Sequence, residues 1–258
     1  MARDWSKLRE ELDRGRMWDI LMRFPEDLER AREAAAELEL ECGEPSRVLV
    51  VGMGGSAIGG DLAREYAYDR ARVPVGVVRD FEPPLYADES TLAFVISYSG
   101  RTAETLSAFR GLLDSGCAIV VVTSGGTLEE EASKRGLPVA KVPPGRPPRT
   151  ALPYLYLPIL VILSRLGALE LPESEVREAV SVARGIREEL SGGGDSLRLA
   201  RELAEEIHGK IPVAYSYRPY YSVAYRFKTQ VNENAKQHAF CAEVPEMCHN
   251  EIVGWEGR

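Results

Sequence analysis

Three hydroxyl side chains surround one glycine in the segment SYSGRTAE, residues 97–104. Ser97, Ser99 and Thr102 follow an apolar, strand-like run and stand at the start of a helix-like run. A helix start carries unpaired backbone N–H groups and the positive end of the helix dipole. Short hydroxyl groups add donors without bulk, and Gly100 lets the backbone approach a ligand closely. The segment therefore predicts a pocket for the phosphate of a small molecule.

A second glycine-rich turn follows another strand-like run, in VLVVGMGGSA at residues 48–57. Gly52, Gly54 and Ala57 match the dinucleotide fingerprint GxGxxA, and Asp80 follows the next strand as a ribose-binding acid does. However, Asp80 comes later than the usual spacing, and a dinucleotide does not explain the hydroxyl-rich turn. Two turns after parallel strands converge at the carboxyl edge of a sheet, which favours a sugar phosphate. A third interpretation is that the glycines only make a tight turn.

Polar side chains of the third segment, FKTQVNENAK at 227–236, have helical spacing. Gln230, Glu233 and Asn234 fall at i, i+3 and i+4 and share one helix face. A carboxylate flanked by amides suits a general base that must be oriented and partly desolvated. The competing interpretation is a solvated helix face.

The fourth segment is PEMCHNEIVGW at 245–255, in which Asn250 is suited to cap a helix that follows His249. A zinc site is an alternative use of this region, with the candidate ligands His238, Cys241, Cys248 and His249. This set lacks the close ligand pair that is usual at the cysteine end of a zinc site, which argues against zinc.

The elements around these segments predict an α/β fold. Residues 5–24 and 26–41 predict two helices, and strands then alternate with helices. Continuous Val and Ile runs of this kind are typical of a parallel sheet covered on both faces. The predicted strands are 47–51, 73–78, 92–96, 118–122 and 139–142, and the predicted helices between them are 56–68, 102–113 and 127–135.

A linker, VPPGRPPR at 142–149, separates this region from the rest because its four prolines and one glycine exclude regular structure. Helices are predicted after it at 151–166, 174–190, 196–208 and 220–240, with one strand at 211–215. One strand is too few for a sheet, so the second lobe is expected to be incomplete.

Composition limits the partners. The 258 residues carry a formal net charge of −8 without any cluster of Lys or Arg, which argues against a nucleic-acid partner. The most apolar run, 151–163, is interrupted by Pro153 and Pro158 and is too short to cross a membrane. The first residues form a charged amphipathic stretch rather than a signal peptide, so we expect a cytoplasmic protein. The four cysteines contain no CxxC pair and do not predict a disulfide scaffold.

Five segments together resemble the bifunctional phosphoglucose/phosphomannose isomerases of the sugar isomerase (SIS) superfamily. They occur in the order of that family: GMGGSAIGGD (52–61), SYSGRTAE (97–104), PRTAL (148–152), NENAK (232–236) and HNEIVGW (249–255). The resemblance implies a SIS fold of two subdomains, each a parallel sheet flanked by helices. It divides the chain into N-terminal helices (1–45), a first subdomain (46–148) and a second subdomain (149–258). Family members continue past residue 255 with further strands and a catalytic lysine, so the second subdomain is expected to lack its C-terminal part.

The resemblance also implies the activity, which is interconversion of glucose 6-phosphate and mannose 6-phosphate with fructose 6-phosphate by a homodimer, without metal or cofactor. Arg149 would stabilise an enediolate, Glu233 would transfer the proton, and His249 would assist ring opening across the dimer interface. Two alternatives stay open, a sugar-phosphate-binding SIS regulator without activity and an NAD-dependent dehydrogenase. The implied substrate-binding residues are Gly55, Ser56, Ser97, Ser99 and Thr102.

Overall fold

A five-stranded parallel sheet forms the centre of the computed structural model, which describes residues 4–257. The strand order is β2-β1-β3-β4-β5, and β1 pairs with β3 in a register that joins Val51 to Val95. The predicted parallel sheet is confirmed. The strands are β1 (Arg47–Val51), β2 (Val75–Val78), β3 (Thr91–Ile96), β4 (Ala118–Thr123) and β5 (Val139–Lys141).

Alternate residues of each central strand enter two separate cores, because successive side chains of a strand point to opposite faces. Val50 and Phe94 belong to one core, and Leu49 and Val95 to the other. Both faces are buried, which explains why these strands are continuously apolar. One core includes residues of α3 (Phe24–Ala36), α4 (Gly54–Ala67), α7 (Leu152–Arg165) and α8 (Glu173–Gly192), and the other those of α5 (Ala103–Leu113) and α6 (Gly126–Lys134).

Helices α4 and α7 cross closely at Gly59. A Cβ atom at this position would lie 2.5 Å from the carbonyl oxygen of Leu155. Helix α7 is also buried against α3, so the segment after the proline-rich linker packs on the first sheet.

The predicted helix at residues 5–24 is wrong, because the chain breaks into α1 (Trp5–Leu12) and α2 (Met17–Leu21). The carboxylate of Asp13 accepts the backbone N–H groups of Met17 (2.6 Å) and Trp18 (2.8 Å). Arg16 has a positive φ of 51°, which a continuous helix does not allow. Residues 1–3 and 258 lie outside the described part, so the start of the charged stretch and the outer ends of the predicted regions 1–45 and 149–258 are not described.

The second lobe contains a two-stranded parallel sheet, and the prediction of one strand followed by a helix over 220–240 is wrong. Strand β6 (Val213–Tyr217) pairs with β7 (Phe240–Val244). Helix α10 (Tyr221–Gln230) passes into a π-helical turn (Val231–Ala235) and ends at Lys236, whose φ is 55°. The Asn232 side chain donates to the carbonyl of Gln237 (2.8 Å), which holds the chain as it turns towards β7.

The remaining elements are the helix α9 (Asp195–Ile207) and the 3-10 turns Pro148–Thr150, Glu246–His249 and Glu251–Glu256. Among the residues described, no helix has the length and apolar character needed to cross a membrane. All four cysteines are free thiols.

Candidate functional site

Two turns meet where the strand order of the first sheet reverses, between β1 and β3. Ligands of open α/β sheets bind outside the carboxyl ends of the strands at such a point. Helix α4 starts directly after β1, and its Ser56 hydroxyl accepts the backbone N–H of Tyr98 from the turn after β3 (3.2 Å). The structure therefore brings Ser56 and the 97–102 turn to one edge of the sheet.

The turn at 97–102 presents hydroxyl groups and a helix start together. The buried Ser97 hydroxyl lies 3.0 Å from that of Thr102, and the exposed Ser99 hydroxyl accepts the N–H of Arg101 (3.3 Å). Thr102 is the N-cap residue of α5, but its side chain makes no capping bond. The first N–H groups of α5 therefore have no side-chain partner from the N-cap, which leaves them suited to an anion.

A third turn, at residues 123–126 after β4, packs against the 97–102 turn. The sequence did not lead us to predict it. Ser124 donates to the carbonyl of Tyr98 through its N–H (3.0 Å) and its hydroxyl (2.6 Å). Gly100 has a φ of 62°, and a Cβ atom there would lie 1.7 Å from the carbonyl oxygen of Gly125. The sequence TSGG directly after a strand was the available signal, since it repeats the hydroxyl and glycine composition of the other two turns.

Arg149 belongs to the 3-10 turn Pro148–Thr150 and lies beside Gly55, in the turn that follows β1. A Cβ atom at Gly55 would lie 3.4 Å from the backbone nitrogen of Arg149, so the two backbones are in close approach. The linker that leads to Arg149 is held by Tyr98, whose hydroxyl donates to the carbonyl of Pro143 (3.1 Å) and accepts the N–H of Arg146 (3.0 Å). Tyr98 therefore joins the hydroxyl-rich turn to the linker.

The guanidinium of Arg149 contacts the π-helical turn. Its Nη1 lies 3.5 Å from Glu233 Oε2, and its Nε donates to Asn234 Oδ1 (2.6 Å). The amide of Asn234 in turn donates to Gln230 Oε1 (3.0 Å). The three residues that were expected on one helix face are thus adjacent, and two of them contact Arg149.

Arg226 of α10 also contacts Arg149, because its Nη2 donates a hydrogen bond to the Arg149 carbonyl (2.9 Å). Burial lowers the pKa of the Arg226 guanidinium, and the charge of Glu233 acts in the opposite direction. The site therefore places one carboxylate and two guanidinium groups near the turn that contains Gly55 and Ser56, which itself contacts the 97–102 turn. This arrangement is able to hold a phosphate and to exchange a proton next to a fixed positive charge.

His249 is not part of this group within the chain. It is exposed in the 3-10 turn that follows β7, where it lines a pocket with Arg218, Glu243 and Glu246. The predicted role of Asn250 as a cap agrees with the structure, because its side chain accepts the N–H of Glu251 (2.6 Å) at the start of a 3-10 helix. In the described range 4–257, no three or more His, Cys, Asp or Glu side chains form a group that could hold a metal ion.

Comparison with known proteins gives consistent matches. Residues 197–258 match the family described as bacterial phospho-glucose isomerase C-terminal SIS domain. The chain is 36% identical over 244 residues to the bifunctional phosphoglucose/phosphomannose isomerase of Caldicellulosiruptor bescii, covering 93% of this chain and 72% of the relative. It is 36% identical over 210 residues to the protein of the same name from Aquifex aeolicus, covering 81% and 62%.

Solved structures agree on the fold. The C-terminal domain of glucosamine-fructose-6-phosphate aminotransferase from Francisella tularensis superposes with a TM-score of 0.65 at 21% identity, covering 92% of this chain and 72% of that one. This likeness concerns the fold alone. Because a 36% identical relative is covered over 72% of its length, the chain belongs to the bifunctional phosphoglucose/phosphomannose isomerase family, with the SIS fold.

Proposed function

We propose that this chain isomerises hexose 6-phosphates, interconverting glucose 6-phosphate and mannose 6-phosphate with fructose 6-phosphate. The observation that carries the proposal is the position of Glu233 beside Arg149, next to the Ser56 and Ser97 turns. The relatives that share more than a third of their aligned residues with this chain are named as isomerases of this kind.

The two turns bind the substrate in this proposal. Ser97, Ser99 and Thr102 hold the phosphate with the N-terminal N–H groups of α5, and Gly55 and Ser56 contact the sugar. Phosphate binding far from the reacting carbons supplies binding energy that positions them. An acidic chain with a net charge of −8 needs such local donors, since its overall field repels anions.

Glu233 moves the proton between C2 and C1. Its carboxylate removes the C2 proton of the open-chain aldose, the electron pair moves into the C1 carbonyl, and a cis-enediolate forms. The enediolate loses the O2 proton and gains one on O1, and Glu233 returns a proton to C1 to give the ketose. The guanidinium of Arg149 stabilises the negative oxygen in between. Carbon and electron counts are unchanged, so the reaction needs no redox cofactor.

His249 assists ring opening from a second copy of the chain in this proposal. The support is its location, because it lies with Arg218 and Glu243 rather than with Glu233 of its own chain. We accordingly propose a homodimer, placed in the cytoplasm and acting on a sugar phosphate rather than on nucleic acid.

A Glu233→Gln variant tests the proposal. We expect wild-type protein to form fructose 6-phosphate from glucose 6-phosphate and from mannose 6-phosphate, and the variant to lose about 10²-fold or more in kcat. Glu178→Gln, which removes an exposed carboxylate of α8, is the matched control. Undiminished turnover by Glu233→Gln would refute the assignment.

Ligand titration separates the two alternatives. The isomerase binds 5-phosphoarabinonate, an enediolate analogue, in preference to NAD and also turns over substrate. A sugar-phosphate sensor binds the analogue without turnover. A dehydrogenase prefers NAD, as the GxGxxA match at Gly52, Gly54 and Ala57 would require.

A further inference from the structure

We infer that Glu65 is a positioning residue for the isomerisation proposed above, and the inference rests on that proposed function. Glu65 lies in α4, the helix that begins at the Gly55 and Ser56 turn, and it holds the start of α10, the helix that ends at Glu233. Its carboxylate contacts none of the candidate substrate-binding residues. It acts by fixing where α10 lies along α4.

The contact between Glu65 and Ser222 uses both carboxylate oxygens. Oε1 accepts the backbone N–H of Ser222 (2.8 Å), and Oε2 accepts its hydroxyl (2.7 Å). Glu65 is 8% exposed and Ser222 is 1% exposed. Bonds to a buried carboxylate are among the stronger hydrogen bonds of a protein, and losing the acceptor leaves two buried donors unpaired.

The carboxylate replaces the missing cap of α10. Tyr220 is the N-cap residue of this helix, and its side chain makes no capping bond. Ser222 is in the first turn, where helices present unpaired N–H groups and a partial positive charge. A negative side chain from α4 satisfies both needs, so α10 depends on α4 for its start.

The two helices run in opposite directions and are joined at both ends. At one end Arg149 touches Gly55 of α4 and the Glu233 turn that follows α10, and at the other end Glu65 holds Ser222. At about 1.5 Å per residue, Ser56 to Glu65 spans roughly 14 Å and Ser222 to Glu233 roughly 16 Å. The Glu65 contact therefore fixes the N-terminal end of α10, the helix whose other end leads to Glu233 beside Arg149.

Two further side-chain contacts involve α10 between these ends. Arg226 of α10 donates to the carbonyl of Arg149 (2.9 Å). The buried Asp61 of α4 pairs with Arg79, whose guanidinium lies over the ring of Tyr225 in α10 (5.7 Å). Because Arg79 only lies over the Tyr225 ring, without a hydrogen bond to α10, this contact does not fix where α10 lies along α4. Without Glu65, α10 keeps its packing on α4 and the Arg226 bond to Arg149, but loses the two hydrogen bonds that fix its N-terminal end.

Three variants test the inference. Glu65→Ala removes the acceptor, and Glu65→Gln keeps one acceptor for the Ser222 N–H. Glu175→Ala is the control, because Glu175 of α8 also accepts hydrogen bonds at the C-terminal end of α4, from Tyr66 and from Arg70 just after the helix, and contacts no residue of α10 by hydrogen bond. The measurements are kcat and KM for glucose 6-phosphate and the amide hydrogen exchange of residues 221–235.

We expect Glu65→Ala to lower kcat by about 10-fold to 10²-fold, the usual cost of misplacing a catalytic group by about 1 Å, with KM changed less than 3-fold. Exchange of residues 221–235 becomes faster, and that of residues 54–60 is unchanged. Glu65→Gln recovers most of kcat, and Glu175→Ala changes neither quantity.

Unchanged kcat in a folded Glu65→Ala protein overturns the inference, and so does an equal loss in Glu175→Ala. If wild-type protein has no turnover, the proposed function fails, and exchange alone then decides whether Glu65 fixes α10. Faster exchange of 221–235 in Glu65→Ala supports that role, and unchanged exchange overturns it.

Discussion

The Gly100→Ala substitution should disrupt the hydroxyl-rich turn at 97–102 more than alanine does at any other glycine of positive φ. Gly100 has a φ of 62°, and its Cβ position lies 1.7 Å from the carbonyl oxygen and 2.8 Å from the carbonyl carbon of Gly125. Both neighbours are backbone atoms, which cannot rotate away as a side chain does. The turn at 97–102 or the turn at 123–126 must therefore move.

The magnitude has two parts that a control separates. The left-handed conformation lowers the free energy of unfolding by about 1 kcal/mol when the residue has a Cβ atom. Overpacking against a rigid neighbour adds about 1–3 kcal/mol. Gly136 has a φ of 67° and nothing within 4 Å of its Cβ position. Gly136→Ala therefore has the conformational effect without the overpacking. We expect Gly100→Ala to lower the free energy of unfolding by about 2–4 kcal/mol and Gly136→Ala by about 1 kcal/mol.

Urea unfolding measures the stability difference, and titration calorimetry with glucose 6-phosphate measures the effect on the turn. Gly100→Ala should weaken sugar-phosphate binding by about 10-fold or more, since it displaces Ser99 and Thr102, while Gly136→Ala should bind normally. Equal stability and equal affinity in the two variants would refute the reasoning from close backbone approach.

Two further predictions concern the buried Asp27, which accepts from Arg146 (2.5 Å) and from the hydroxyl of Tyr154 (2.9 Å). Asp27→Ala leaves a nearly buried guanidinium unpaired and should cost about 3 kcal/mol in urea unfolding; a loss below about 1 kcal/mol would contradict this. Burial, and then the hydrogen bond to Asp27, raise the pKa of Tyr154 from 10.0 to about 12. Because the folded pKa is the higher one, the stabilisation is complete below pH 10 and is lost as the pH rises towards 12. Tyr154→Phe should remove one late step from the ultraviolet tyrosinate titration and flatten that alkaline loss of stability, and an unchanged titration would count against the assignment.

The first sheet could be predicted from the sequence because its three central strands, β1, β3 and β4, are buried on both faces. A run such as LAFVI at 92–96 has no polar side to present to water, and each of the three central runs is followed by a glycine or a serine, at Gly52, Ser97 and Ser124. A parallel sheet between helices is the structure that buries such runs. The convergence of the Ser56 and Ser97 turns follows from this topology rather than from the motifs themselves.

The two wrong helices have a common physical cause. Apolar spacing continues through residues 5–24 and 220–240, and neither break contains a proline within the helix interior. Asp13 and Asn232 end the helices through side-chain bonds to backbone groups of Met17 and Gln237. Residues of these types compete with helical hydrogen bonds, but whether they do so depends on the surrounding packing. Strand β7 was hidden for the same reason, since it forms only after the chain has turned at Lys236.

For the site, residue types were predictable and their partners were not. The sequence identifies Arg149 and Glu233 through separate motifs, yet the contact of Arg149 with Asn234 depends on the π-helical turn. Arg226 and Glu65 carry no motif, and their roles follow from burial and hydrogen bonds alone.

The packing of the glycine turns has a consequence for redesign of this protein. The backbone at Gly100 fills the space beside the Gly125 carbonyl, and a Cβ atom at Gly126 would lie 2.5 Å from the carbonyl oxygen of Ser99. Neither bend has room to be lengthened or given bulk while the other stays as it is. Grafting loops from another protein to change the ligand preference must therefore replace residues 97–102 and 123–126 together.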